Sequence, residues 1–69
     1  MQVTAHFESY YPGSKPLCVI TVGSSNQFAG LGETHEEALT KAGLLARKSR
    51  LLDDSQLDEF IREKLREIA

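Results

Sequence analysis

A chain of 69 residues holds one domain and buries only roughly 60% of the surface its unfolded form exposes, which excludes a large enzyme core and leaves a narrow margin of stability. Eight basic against ten acidic residues give a net charge of −2, so no polyanionic partner is imposed, and the single cysteine, Cys18, excludes a disulfide-stapled miniprotein. The hydrophobic fraction of 41% is that of a globular protein, and no window is long and apolar enough for a signal peptide or a membrane span, so the expected compartment is the cytoplasm.

Residues 2–10, QVTAHFESY, alternate: Val3, Ala5 and Phe7 point one way, Thr4, His6 and Glu8 the other, as in a strand with one wet face. Pro12-Gly13 then suits a type II turn, in which proline presets the first central residue and glycine accepts the positive φ of the second. Residues 17–22 form the second strand, with Cys18, Ile20 and Val22 on one face and Leu17, Val19 and Thr21 on the other. Cys18 reads as a buried thiol inside this apolar run. Gly23-Ser24-Ser25-Asn26 makes the next turn, and residues 27–31 form a short third strand.

Thr34 is a good helix N-cap, with Glu37 three residues later as the second half of a capping box and Glu36 complementing the dipole. A helix is expected over 35–50, with Ala38, Ala42, Leu45, Ser49 and Leu52, joined by Leu39 and Ala46, as the stripe that lies on the sheet. Residues 51–55 break the pattern. A second helix over 55–68, capped by Asp54 or Ser55, carries Leu57, Phe60, Ile61, Leu65 and Ile68 on one face, with Asp58 and Arg62 as an i, i+4 pair. The order β-β-β-α-α predicts a single α+β domain over 1–69, a three-stranded antiparallel meander packed against C-terminal helices.

The run Val19-Ile20-Thr21-Val22-Gly23, then Phe28, Gly30, Gly32, Thr34, Ala38 and Ala42, resembles the last two strands and final helix of the double-stranded-RNA-binding domain family, over about residues 3–52. The resemblance implies that family's fold without its first helix. It does not carry the family's RNA contacts across. A Lys-Lys-x-Ala-Lys motif there spans the major-groove phosphates, whereas this chain has His35, Glu36 and Leu39. The hairpin loop, where the family usually has a histidine, reads Gly13-Ser14-Lys15-Pro16. The segment Gly32-Glu33-Thr34-His35-Glu36-Glu37-Ala38-Leu39, followed by Ala42, is also similar to the start of the helix in HicB-type antitoxins, a resemblance that implies inhibition of a partner protein with Glu36 and Glu37 facing a basic surface.

Catalysis needs a nucleophile beside a base, and the alternation sends Cys18 inward and His6 outward. One cysteine and two distant histidines have no metal-ligand spacing, and Gly30-x-Gly32 lacks the third glycine of a dinucleotide loop, so no catalytic, metal or cofactor site is expected. Lys41, Arg47, Lys48 and Arg50 fall within ten positions and form the candidate nucleic-acid contact, although no aromatic residues interleave for base stacking and cations are ordinary at a helix C-terminus. Tyr10 and Tyr11 are candidate partner anchors at the hairpin tip. The last helix must bury its apolar stripe, either over its own sheet or against a second copy, and the second arrangement is the expectation. The leading functional expectation is therefore a small non-enzymatic accessory protein that associates with itself or another protein. Its anchors are Leu17, Val19, Leu57, Phe60, Ile61, Leu65 and Ile68; nucleic-acid binding and antitoxin-like inhibition are the alternatives.

Overall fold

The computed structural model describes residues 2–9 and 13–68. Three antiparallel strands, β1 (Val3–Glu8), β2 (Leu17–Val22) and β3 (Asn26–Leu31), form a sheet in the order β1-β2-β3, followed by α1 (His35–Ser49) and α2 (Asp54–Ile68). The α+β class and the β-β-β-α-α order are as expected, with element ends shifted by one or two residues. Pro12 of the expected first turn and the candidate anchors Tyr10 and Tyr11 lie outside the described residues. Gly13 has φ +83°, and Gly23, which opens the second turn, has φ +70°.

Register fixes the two faces. Val3, Ala5 and Phe7 stand opposite Val22, Ile20 and Cys18, which in turn face Asn26, Phe28 and Gly30, so these side chains share one side of the sheet. Cys18, Ile20 and Val22 are fully buried there, under Ala38, Leu39, Ala42 and Ala46 of α1. The approach is close because β3 offers glycine: a Cβ at Gly30 would collide with the α1 backbone at Ala42 and Ala38, and one at Gly32 would lie 2.6 Å from the Ala38 nitrogen. Helix α1 therefore sits directly on β3, backbone to backbone.

The helix ends are set by side chains. Thr34 Oγ1 accepts from the Glu37 amide at 3.1 Å, while the Glu37 carboxylate pairs with Lys41 at 3.2 Å, so only one half of the expected capping box forms. Helix α1 stops at Arg50, which takes the left-handed conformation (φ 60°) and donates its amide to the Arg47 carbonyl. The cap of α2 is Asp53, one residue before the expected Asp54 or Ser55. Its Oδ1 accepts from the Gln56 amide at 2.8 Å and from Ser55 Oγ at 2.9 Å.

Helix α2 folds back antiparallel to α1 on the same face of the sheet, as the paired positions Arg47 with Asp58 and Gly43 with Ile61 show. The buried stripe of α1 is rotated accordingly. Leu39 and Gly43 face α2 and are buried, whereas Leu45, expected on the sheet, is 43% exposed on the opposite flank, and Ser49 is exposed. Asp58 binds Arg47 across the two helices instead of Arg62 along its own.

Candidate functional site

The expected association anchors separate into two groups. Leu57 is fully buried in the core cluster, and Phe60, Ile61 and Leu65 are half-buried against it together with Val3, Ala5 and Phe7 of β1. This part of the stripe expected to meet a second copy packs on the chain's own core, with Phe60, Ile61 and Leu65 keeping part of their surface exposed. The physical reason is the small-residue surface of α1: Ala38, Ala42, Gly43 and Ala46 let it sit over β3 and β2, leaving the β1 side of the same face for α2. Ile68, at the end of α2, is 37% exposed and borders a shallow cleft with Ala5, Phe7, His35, Lys64 and Glu67. The Phe7 and His35 rings meet edge to face there, with centroids 4.6 Å apart.

Leu17 and Val19 lie elsewhere, on the face that neither helix covers. Alternation puts Thr4, His6 and Glu8 of β1, Leu17, Val19 and Thr21 of β2, and Gln27, Ala29 and Leu31 of β3 on this side. Leu17 pairs with Leu31 and Val19 with Ala29, giving an apolar strip along β2 and β3 bordered by the polar side chains of β1. Val19 is 9% exposed in its centre and Leu31 is 52% exposed at its rim. Ala29 and Leu31 are absent from the sequence-derived anchors, yet the period of two in residues 26–31 already aligns them with Leu17 and Val19.

Arg47, Lys48 and Arg50 border one shallow cleft at the end of α1, and Lys41 stands apart from them. Lys41 is held by Glu37, and Arg47 is turned toward α2, where Asp58 and, at 3.9 Å, Asp54 bind it. Among the described residues no ion pair reaches Lys48 or Arg50. Leu44, Leu52, Asp53 and Asp54 complete the lining of that cleft. Glu36 and Glu37 are exposed on the first turn of α1. Near them Lys15 pairs with Glu33 at 2.7 Å, an exposed contact that raises the lysine pKa and lowers that of the glutamate.

Reactive groups are not brought together. Cys18 is buried, and desolvation pushes its thiol pKa up, away from the nucleophilic thiolate. His6 stands on the opposite face, in the β1 position that faces Val19, with Nε2 3.0 Å from Glu8 Oε1. Among the described residues no group of three His, Cys, Asp or Glu side chains has the geometry to hold a metal ion, and no helix is long and apolar enough to cross a membrane. No family model matches the chain, and no curated protein or solved structure matches it.

Proposed function

We propose that this chain is a small non-catalytic association module that pairs with a second copy through the helix-free face of its sheet. The observation that carries this reading is the strip of Leu17, Val19, Ala29 and Leu31, which lies on a regular sheet surface while both helices occupy the other side. A small domain gains much from covering such a strip, since each Å² of apolar surface removed from water contributes about 25 cal/mol. The polar rim of Thr4, His6 and Glu8 suits a face that meets water when unpaired.

Sedimentation equilibrium on the wild type and on the Leu17→Asp/Leu31→Asp variant tests the reading. A wild-type dimer that becomes a folded monomer in the variant supports it. A wild-type monomer at high micromolar concentration, or a dimer indifferent to the substitutions, overturns it. Substituting Leu57 or Ile61 would not serve, because both belong to the monomer's own packing.

Lys48 and Arg50, which form no ion pair among the described residues, favour nucleic-acid binding as a second reading. It predicts duplex RNA or DNA binding that weakens steeply with salt and is lost in Lys48→Glu/Arg50→Glu. Binding that survives this double reversal would exclude the site.

A further inference from the structure

The geometry points to the outer edge of β3 as a docking site for an extended segment of a partner protein, one that adds as a fourth strand with an acidic–x–apolar–x–acidic pattern along α1. This goes beyond the self-association reading and uses a different surface.

The edge is built from backbone. The Gly32 amide donates to the Pro16 carbonyl at 3.2 Å and the Gly23 amide to the Gln2 carbonyl at 2.7 Å, which sets the alternation of hydrogen-bonded pairs across the sheet. In this register Asn26, Phe28 and Gly30 turn their N–H and C=O groups toward β2, and Gln27, Ala29 and Leu31 turn theirs outward. No charged side chain or proline interrupts Asn26–Leu31. Sheet edges are commonly protected by charge, proline or a bulge, and β1, the other edge, carries Glu8. Two of the exposed large hydrophobic side chains flank the β3 edge. They are Leu31 on the open face and Leu45 on the flank of α1 that points away from α2.

A second copy is poorly matched to this edge. Antiparallel self-pairing about a two-fold axis puts both α1 helices on one face. Each α1, lying over β3 and β2, would then turn its Lys41–Leu45–Lys48 flank toward that of the other copy, so that like charges meet. Parallel two-fold pairing separates the helices but sets like groups level with one another, N–H against N–H. A segment without its own covering helix meets neither obstacle, and main-chain hydrogen bonding with alternate side chains for selectivity is an established recognition mode.

Charge and shape along α1 choose the side chains. Lys41, Leu45 and Lys48 follow one another on the outer flank, above the place an added strand would take. Both lysines are exposed; Lys41 pairs with Glu37 of its own helix at 3.2 Å, and Lys48 has no acidic partner among the described residues. Every second residue of an added strand points at this flank, so acidic, apolar and acidic residues at i, i+2 and i+4 match the three positions.

The test is titration of the full chain with the blocked heptapeptide Thr-Glu-Val-Val-Val-Glu-Thr, followed by amide hydrogen exchange. Exchange at Gln27, Ala29 and Leu31 slows by roughly tenfold or more at saturation, while the inward Phe28 and Gly30 amides change little. Replacing both peptide glutamates by lysine, or making Lys48→Glu, weakens binding by roughly fivefold. Ala29→Pro removes one outward N–H at a site where an edge strand tolerates proline, and abolishes binding. If that variant fails to fold, Leu45→Lys on the exposed flank tests the apolar position instead and is expected to weaken binding by roughly fivefold; unchanged binding overturns the proposal. Absence of selective protection at the three amides overturns the proposal, as does equal binding of the lysine peptide. Protection that appears with rising protein concentration and no peptide assigns the edge to a second copy and also overturns it. Dimerisation through Leu17 and Leu31 can fail with this result intact, and the reverse.

Discussion

Gly43 of α1 and Ile61 of α2 mark where the two helices cross: a Cβ at position 43 would stand 2.5 Å from Ile61 Cδ1. The obstacle is the tip of a side chain that can rotate, and a helical glycine costs about 0.5–1 kcal/mol relative to alanine. Gly43→Ala is therefore expected to change stability by less than about 1 kcal/mol. Gly30→Ala meets α1 backbone that cannot move aside, and is expected to cost about 3 kcal/mol or more. Urea unfolding of both variants checks the contrast; equal losses would contradict the close seating of α1 on β3.

Arg50 closes α1 in the left-handed conformation, which strains a residue bearing a Cβ by about 1–2 kcal/mol. Arg50→Gly relieves that strain and is expected to stabilise the fold by about 0.5–1 kcal/mol after the entropic cost of glycine. A rise in thermal midpoint confirms it, while an unchanged or lower midpoint would mean that the arginine side chain offsets its own backbone.

Asp53 caps α2, and its bonds to the Gln56 amide and to Ser55 hold its carboxyl pKa below the ordinary value. A depressed folded-state pKa means that the stabilisation is fully present above the unfolded value of about 3.9 and is lost as pH falls through the folded one. Asp53→Ala therefore lowers the unfolding midpoint at neutral pH, and the gap from wild type closes in strong acid. Parallel melts across the acid range read this directly; a gap that persists in strong acid would deny the cap its ionic character.

Cys18 sits beneath the helices with its thiol pKa raised by burial. Alkylation by iodoacetamide at neutral pH is expected to be as slow as opening of the fold and to become rapid in urea. Prompt alkylation of the native protein would show that the sheet–helix layer opens locally.

Much of this molecule is written in short-range pattern. Alternation in residues 3–8 and 17–22 assigns the inward and outward sides, and Thr34 with Glu37 locates the start of α1. The surface is less legible. Lys41, Arg47, Lys48 and Arg50 look like one basic group in the sequence, but Arg47 is drawn to Asp58, which lies eleven positions away in the chain. Leu45 fits the inward stripe by spacing alone, and only the docking of α2 beside α1 turns it outward.

The sequence by itself determined the elements, their order and the two faces of each strand, because these follow from residue spacing and the fixed periods of strand and helix. Only the tertiary structure decided that α2 covers its own sheet and that Leu57 and Ile61 belong to the monomer. Among the described residues it also left the β3 edge unpaired and the Leu17–Leu31 face without a covering helix. Those outcomes depend on how close α1 can come to β3, a distance set by glycine and alanine backbones meeting across the layer, and no periodicity along the chain encodes it.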